Sequence, residues 1–297
     1  MGLPPFARAS MPPMSGRTCV VTGATSGIGK ATALALARLG ARVVLVGRDR
    51  ARGEAAAEQV AAVSTSPPRL EIADLASMGQ VRELGARLSA LDRIDVLVNN
   101  AGLMAGQRRV TPDGFEHVFA VNHLAPFLLS NLLLAKLAAA APARIVTVTS
   151  DAHTAARLDL DDPHLEHRWD SWRAYANSKL ANILFTTEFA RRLGGATVAA
   201  NCAHPGMVRT RFGREASLPL RLGVTLGRPF MLSPRRGADT IVYLATSPEV
   251  AAATSGYYVK RQRREPSAAA RDDAAAKRLW QLSEELTGLT PARPAGT

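Results

Sequence analysis

The chain alternates short apolar, β-branched runs with longer stretches of helical spacing. The strand-like runs are continuously apolar rather than alternating, which is typical of strands covered on both faces. They lie at Thr18–Thr22, Arg42–Val46, Arg69–Ile72, Val96–Asn99, Arg144–Thr149, Thr197–Cys202 and Gly256–Val259. The stretches with helical spacing lie between them, at 29–39, 54–63, 77–91, 114–140, 175–193 and 238–246. Strands and helices in this order predict parallel β-α-β units.

These units predict an α/β fold, a single doubly wound parallel sheet of about seven strands with helices on both faces. The predicted catalytic domain spans 16–260. Residues 1–15 lack a regular pattern and predict a disordered leader, whereas 261–297 predict a C-terminal extension with one helix near 274–286. The irregular stretch of about 207–234 predicts a substrate lid, because long connections after a strand's carboxyl end are usually functional.

Composition and charge exclude several function classes. No run reaches the roughly 18 apolar residues that a membrane span needs. The net charge is +12, but the arginines are scattered, and we interpret the one dense cluster, Lys260–Arg264, as a solvated surface segment rather than a nucleic-acid patch. Cys19 and Cys202 predict buried thiols, and the histidines lack metal-ligand spacing. We therefore expect a cytoplasmic protein that binds neither metal nor nucleic acid.

A glycine-rich turn follows the first strand and opens the first helix. Glycines permit a tight turn and the close approach of a pyrophosphate, and the helix N-terminus offers free N–H groups. On its own such a turn can also be purely structural. Here it predicts dinucleotide binding by Gly23, Thr25, Ser26, Gly27, Ile28 and Gly29.

The end of the second strand bears on which dinucleotide binds. An NAD-binding turn usually places an acid there, to bond the ribose 2′-OH. This chain has Gly47 and then Arg48, whose guanidinium pairs well with a phosphate, while Asp49 comes one residue late. The pattern favours NADP(H) over NAD(H), and stacking of Arg48 on adenine stays an alternative. Two later turns are predicted to contact adenine and ribose, respectively: Asp74-Leu75 and Asn100-Ala101-Gly102.

A tyrosine and a lysine, Tyr175 and Lys179, share one face of a predicted helix. A nearby ammonium stabilises a phenolate and lowers a tyrosine pKa, so the pair is a candidate general acid and base. Ser150 ends the fifth strand at the same sheet edge, where its hydroxyl can bond a substrate oxygen that gains charge. Asn122 is an amide inside an apolar helix, and we expect it either to hold a water that passes protons to Lys179 or to satisfy a helix kink.

The combined motifs are Thr22-Gly-x-x-x-Gly27-Ile-Gly29, Asn99-Asn-Ala-Gly102, Asn122, Ser150, Tyr175-x-x-x-Lys179 and Pro205-Gly206. Over about residues 16–260 they resemble the short-chain dehydrogenase/reductase family. Three short motifs resemble its retinol-dehydrogenase-like branch: Asn122-His-Leu124, Ser150-Asp-Ala-His153 and His204-Pro-Gly206. The resemblance implies a Rossmann fold, hydride exchange with a nicotinamide, and a tetrad of Asn122, Ser150, Tyr175 and Lys179. It also implies a nicotinamide-side contact through Pro205, Gly206, Val208 and Thr210.

These observations together predict an NADP(H)-dependent oxidoreductase that interconverts an alcohol and a ketone or aldehyde on a small molecule, with Tyr175 as general acid and base. Apolar residues in 218–232 suit a bulky apolar substrate, although core packing or a subunit contact would explain them equally well. A catalytically silent NADP(H)-binding regulatory protein is the alternative function. His153 is expected either to line the substrate pocket or to make a structural hydrogen bond. Homodimer and homotetramer both stay open.

Overall fold

The computed structural model describes residues 12–194, 198–209 and 231–289, and within them eight strands form one sheet. Their order across the sheet is β3-β2-β1-β4-β5-β6-β7-β8, with β8 antiparallel to β7 and the other pairs parallel. The predicted doubly wound α/β sheet is confirmed, with one strand more than expected. The strands are β1 Thr18–Thr22, β2 Arg42–Gly47, β3 Arg69–Ile72, β4 Val96–Asn99, β5 Ala143–Val148, β6 Val198–His204, β7 Gly256–Val259 and β8 Gln262–Arg264.

Helices cover both faces of this sheet. They are α1 Gly27–Arg38, α2 Arg50–Ala61, α3 Met78–Ser89, α4 His117–Phe119, α5 Ala125–Leu132, α6 Leu134–Ala139, α7 Ser171–Arg192, α8 Pro234–Gly237, α9 Asp239–Thr246 and α10 Asp273–Thr287. One apolar core joins α1, α2 and α9 to the sheet, and a second joins α3, α5, α7 and α10 to its other face. Strand β1 shows the reason for the continuous apolar runs: Val20 enters one core, and Cys19 and Val21 enter the other.

The strand order reverses between β1 and β4, and this point opens a crevice at the carboxyl ends of the strands. Side chains fasten the two strand ends together. The Thr22 hydroxyl oxygen accepts from the backbone N–H groups of Asn100 and Ala101, both at 3.0 Å. The Asn100 amide nitrogen donates to the Thr22 carbonyl at 2.7 Å. The glycine turn after β1 is therefore held beside the turn after β4.

The ends of the chain and the predicted lid are described only in part. Residues 1–11 of the predicted leader lie outside the described residues; the folded body already includes Met14, which is buried and donates its N–H to the Leu39 carbonyl at 2.7 Å. Most of the predicted lid, 210–230, also lies outside them. On either side of that gap, Val208 and Leu232 form a parallel bridge. Across the described ranges, no helix is long and apolar enough to cross a membrane.

The C-terminal extension packs against the body. It contributes strand β8 and helix α10. Strand β8 includes most of the basic segment Lys260–Arg264, which we interpreted as solvated, and the side chains of this strand are exposed. Trp280 of α10 lies 4.9, 6.2 and 5.9 Å, between ring centroids, from Phe127, Phe185 and Phe189. The Arg192 guanidinium stacks over the same indole at 4.4 Å. Helix α10 therefore covers parts of α5 and α7.

Candidate active site

A cavity of about 550 Å³ lies at the carboxyl ends of the strands, a volume within the usual range of small-molecule sites. Its wall includes sequence-predicted cofactor residues from five separate turns and from α7. Those on the wall are Gly23, Thr25, Ser26, Gly27, Ile28, Gly29, Arg48, Asp74, Leu75, Asn100, Ala101, Gly102, Tyr175, Lys179, Pro205, Gly206 and Val208. Thr210 lies outside the described residues.

The glycine turn forms one end of this cavity and leaves no room for side chains. A Cβ added to Gly29 would lie 2.3 Å from the Gly23 carbonyl oxygen and 2.4 Å from the Asn100 amide nitrogen. Gly23 and Gly27 have φ values of +64° and +54°, which only glycine adopts readily. Helix α1 starts at this turn without a side-chain cap from Ser26 and without an acid in its first turn. Its first N–H groups and its dipole therefore suit a phosphate group.

The turn after β2 separates a basic residue from an acidic one. Arg48 lies on the cavity wall with an exposed side chain. Asp49 instead caps α2: its carboxylate accepts the Arg52 N–H at 2.9 Å and pairs with the Arg52 side chain at 2.9 Å. The Arg52 side chain also reaches the cavity wall, and sequence reasoning missed it. The signal was available, because Arg52 is a second basic residue only four positions after Arg48.

Tyr175 and Lys179 lie on α7 with buried side chains. The Lys179 Nζ is 5.5 Å from the centroid of the Tyr175 ring and donates to the Val148 carbonyl at 3.1 Å. The Thr149 hydroxyl donates to the Lys179 carbonyl at 2.9 Å, which fastens α7 to the end of β5. Ser150, the next residue, hydrogen-bonds to the Tyr175 side chain and lines the same cavity. The two hydroxyls are therefore close enough to bind one substrate oxygen.

The expected lowering of the Tyr175 pKa by Lys179 is not what the structure shows. Burial raises the pKa of Tyr175 to about 12, and the hydrogen bond from Ser150 offsets this only in part. Burial also lowers the pKa of Lys179 to about 8, against a smaller opposing effect of Cys202. Both pKa shifts have one physical cause, because burial away from water disfavours the charged form of either group. Near neutral pH, Tyr175 is therefore a phenol with a proton to give.

Asn122 stands behind the cavity wall, in a π-helical turn, Ala120–Leu124. Such turns are common at functional sites. Its Oδ1 accepts the Leu103 N–H at 2.8 Å, and its Nδ2 donates to the Leu103 carbonyl at 2.9 Å and to the Ser178 hydroxyl at 3.0 Å. A Cβ on Gly102 would lie 3.3 Å from the Lys179 Nζ and 3.4 Å from the Asn122 Oδ1. These contacts fit the internally satisfied kink, and the water-holding role stays a prediction.

Two apolar side chains near Tyr175 were not predicted from the sequence. Met104 packs in one small cluster with Tyr175. Trp172 is 44% exposed, and its ring centroid lies 6.2 Å from that of Tyr175. Helix α7 begins four residues earlier than predicted, and this early start places Trp172 one turn before Tyr175. His153, by contrast, is 2% exposed and hydrogen-bonds through both ring nitrogens, so its expected structural role fits better than a place on the pocket wall.

Comparison with known proteins agrees with this geometry. Residues 17–219 match a family model described as short chain dehydrogenase. The chain is 42% identical over 294 residues to retinol dehydrogenase 14 of Homo sapiens, with 93% of this chain and 88% of the relative covered. It is 45% identical over 281 residues to a candidate daunorubicin C-13 ketoreductase of Streptomyces sp. (strain C5), with 93% and 94% covered.

A solved structure extends the similarity to three dimensions. It is described as a candidate NAD(P)-dependent gluconate 5-dehydrogenase from Beutenbergia cavernae with NADP bound at low occupancy. The two chains are 31% identical with a TM-score of 0.67, and the match covers 82% of this chain and 96% of the other. The chain therefore belongs to the short-chain dehydrogenase/reductase family, in its retinol-dehydrogenase-like branch, a family of oxidoreductases that use nicotinamide cofactors on the alcohol and carbonyl groups of small molecules.

Proposed function

We propose that this protein is an NADP(H)-dependent oxidoreductase that interconverts an alcohol with a ketone or aldehyde on a bulky apolar molecule, with Tyr175 as the general acid and base. The observation that carries the proposal is the pairing of Tyr175 with Ser150 on a cavity wall that also holds the glycine turn and Arg48. A proton donor, a second hydroxyl and a phosphate-binding end thus share one cavity.

The residues on the wall fit the proposed cofactor. The bare glycine turn and the uncapped start of α1 would hold the pyrophosphate. The Arg48 guanidinium would pair with the 2′-phosphate of the adenosine ribose. Three further turns would hold adenine, ribose and nicotinamide in that order: Asp74-Leu75, Asn100-Ala101-Gly102 and Pro205-Gly206 with Val208. When bound, NADPH supplies the hydride that reduces the carbonyl carbon.

The chain's own residues bind the substrate oxygen and supply its proton. The hydroxyls of Ser150 and Tyr175 donate hydrogen bonds to the carbonyl oxygen and stabilise the negative charge that it gains. Tyr175, with a pKa raised by burial to about 12, keeps its proton near neutral pH and passes it to that oxygen. The Lys179 ammonium, 5.5 Å from the ring centroid, then stabilises the phenolate. In the reverse direction the phenolate accepts the proton of the alcohol.

The apolar surroundings of Tyr175 support a bulky apolar substrate. The apolar residues in 218–232, from which the sequence predicts a bulky apolar substrate, lie almost entirely outside the described residues. Within them, Met104 packs near Tyr175, and Trp172 and Met207 are 44% and 70% exposed. Met207 stands between two wall residues, Gly206 and Val208. The two sequence relatives are named for retinol and daunorubicin, which are both bulky molecules with carbon rings.

Replacing Arg48 with glutamate should weaken the preference for NADPH over NADH. A hydrogen bond to a charged group contributes about 1.5–3 kcal/mol, so kcat/KM for NADPH should fall roughly 10- to 100-fold. The value for NADH should change much less, because NADH has no 2′-phosphate. Steady-state kinetics with both cofactors measures the ratio.

Arg50→Glu is the matched control for this variant. It makes the same change of charge on an exposed residue that pairs with Glu54, away from the cavity wall. Its preference for NADPH should stay that of the wild type. An Arg48→Glu enzyme that still prefers NADPH as strongly as the wild type would contradict the 2′-phosphate contact.

Replacing Trp172 with alanine should weaken the binding of large substrates only. Loss of an aromatic contact costs about 0.5–1.5 kcal/mol, so KM for a polycyclic ketone should rise roughly 2- to 10-fold. KM for a small carbonyl such as acetaldehyde should stay nearly constant. Val110→Ala is the control, since Val110 is 54% exposed and away from the cavity wall. Equal effects on both substrates would show that Trp172 acts on the fold and not on the substrate.

A further inference from the structure

Ser150 is held by a short 3₁₀ turn at the end of β5, Asp151–Ala155. Its carbonyl oxygen accepts two hydrogen bonds from His153, one from the backbone N–H at 3.1 Å and one from the ring Nδ1 at 2.8 Å. Its hydroxyl oxygen accepts the Ala152 N–H at 3.2 Å. The direction of the Ser150 hydroxyl therefore depends on the geometry of this turn, and the His153 side chain is one of its fastenings.

The His153 ring is 2% exposed, and its two hydrogen-bond partners decide which ring nitrogen donates and which accepts. The Nδ1 faces a carbonyl oxygen, so it must carry the proton. The Nε2 accepts the backbone N–H of Ser267 at 3.1 Å, so it must keep its lone pair. The ring thus donates through Nδ1 and accepts through Nε2, and it packs edge-on against Tyr257 at 5.1 Å between centroids.

Ser267 belongs to the C-terminal extension, 114 residues further along the chain. It directly precedes a 3₁₀ turn, Ala268–Arg271, that leads into α10. The ring of His153 therefore joins two backbone groups that the chain brings together only in the folded state: the donor of Ser267 and the acceptor of Ser150. An apolar residue of the same size would fill the space but would connect neither.

A second set of contacts holds the neighbouring residue, Asp151. Its N–H donates to the His204 Nδ1 at 3.2 Å, and its carboxylate pairs with the His204 Nε2 at 3.0 Å. The Tyr257 hydroxyl donates to the same carboxylate at 2.6 Å. These bonds tie the turn to β6 and β7, which leaves the His153 bridge as its connection to the C-terminal extension.

We propose that His153 is a positioning residue, which uses its two ring nitrogens to couple the C-terminal extension at Ser267 to the hydroxyl of Ser150. The proposal rests on the proposed function, because it concerns the substrate-binding role of Ser150. Small displacements of a reacting group cost large factors in rate, so the loss of this bridge should lower kcat. His153 does not itself line the cavity and bonds none of the predicted cofactor-binding residues, so NADPH affinity should be preserved.

Three substitutions of His153 separate its two bonds. Asparagine places an amide donor near the position of Nδ1 and can keep the bond to the Ser150 carbonyl. Glutamine places an amide oxygen near the position of Nε2 and can keep the bond from Ser267. Phenylalanine keeps the ring against Tyr257 and makes neither bond. Loss of one aligned oxyanion donor costs about 10²–10³ in kcat. Because His153→Phe displaces the Ser150 hydroxyl and does not remove it, we expect a smaller fall of roughly 10- to 100-fold in kcat for ketone reduction. His153→Asn should recover the part of that loss that comes from the Ser150 bond and keep the several-fold deficit expected from loss of the Ser267 bond, and His153→Gln should recover less.

The opposite end of the bridge has its own pair of variants. Ser267 has a φ of −56°, a value that the proline ring allows, so Ser267→Pro removes the N–H donor together with the hydroxyl. Ser267→Ala removes the hydroxyl and keeps that donor. If the bridge transmits position, Ser267→Pro should lower kcat several-fold below Ser267→Ala, although residue 267 is not on the cavity wall. Equal kcat values in the two variants would overturn the coupling.

Hydrogen–deuterium exchange on the full chain supplies a readout that needs no turnover. Exchange of the amides at 151–153 should speed up in His153→Phe and stay near the wild-type rate in His153→Asn. Wild-type exchange and wild-type kcat in His153→Phe would overturn the proposal, and so would a loss of kcat that Asn fails to recover. A wild-type protein that reduces no carbonyl would instead overturn the proposed function, and the exchange rates would still decide whether His153 holds the turn.

Discussion

Replacement of Tyr175 by phenylalanine should lower kcat for NADPH-dependent ketone reduction by about 10²–10⁴-fold, the usual contribution of a positioned general acid. The substitution removes one oxygen atom and keeps the ring that packs near Met104. The Ser150 hydroxyl would still bind the substrate oxygen, but the proton donor positioned beside it would be gone. Steady-state rates and a fluorescence titration with NADPH separate this loss of turnover from a loss of binding, which should stay within a few-fold of the wild type.

Tyr243→Phe is the control for this substitution. It also removes a single phenolic oxygen, but from α9, where that hydroxyl bonds Glu249 in an exposed position. Turnover of Tyr243→Phe should equal that of the wild type. If Tyr175→Phe retained a rate within tenfold of the wild type, the proton would have to come from another group. A wild-type protein that binds NADPH and turns over no carbonyl would favour the catalytically silent alternative.

Replacement of Gly29 by alanine should weaken NADPH binding roughly 10- to 100-fold, because overpacking of about 1–3 kcal/mol converts into such a factor. The added Cβ would lie 2.3 Å from a carbonyl oxygen of the glycine turn and 2.4 Å from the amide that fastens the turn after β4. Neither is the free end of a flexible side chain, so both turns must move apart. Fluorescence titration with NADPH measures the affinity, and thermal unfolding with and without NADPH shows whether the protein still folds.

Gly79→Ala makes the same chemical change where space is available. A Cβ at Gly79, in the first turn of α3, would meet only the Ser77 hydroxyl at an ordinary 3.6 Å. This variant should bind NADPH like the wild type and gain up to about 1 kcal/mol of stability from better helix propensity. Wild-type affinity in Gly29→Ala would mean that the turn can open without affecting the cofactor.

Much of the fold could be predicted because the strands are buried on both faces. Cys19, Val20 and Val21 are all apolar since consecutive side chains enter opposite cores, and that pattern is visible without a structure. Strand β8 was not predictable in this way. Its three residues, Gln262–Arg264, are polar and exposed, and backbone pairing with β7 alone makes them a strand. The early start of α7 was hidden as well, because Ser171 and Arg173 interrupt the apolar pattern and the cap is the Asp170 carboxylate.

Some features of the candidate site could likewise be predicted from the sequence, and others could not. Residues at strand ends could be placed together from the sequence, because parallel strands bring their carboxyl ends to one edge. The direction of the Tyr175 pKa shift could not be predicted, since it depends on burial by residues such as Met104 and Ala152 from separate segments. The Ser267–His153 bond was equally inaccessible. It joins positions 114 residues apart through a backbone donor, which has no signature in the side-chain sequence.

The packing of α10 affects how this protein can be shortened. The region matched by the family model ends at 219, and the predicted catalytic domain ends at 260. A chain cut at either point would lose Trp280 and uncover Phe127, Phe185 and Phe189, three aromatic rings on the helices next to the site. A contiguous apolar surface of this kind promotes aggregation. Truncations designed on family boundaries would therefore yield insoluble material, and the smallest well-behaved fragment for crystallisation or engineering must extend at least through Thr287.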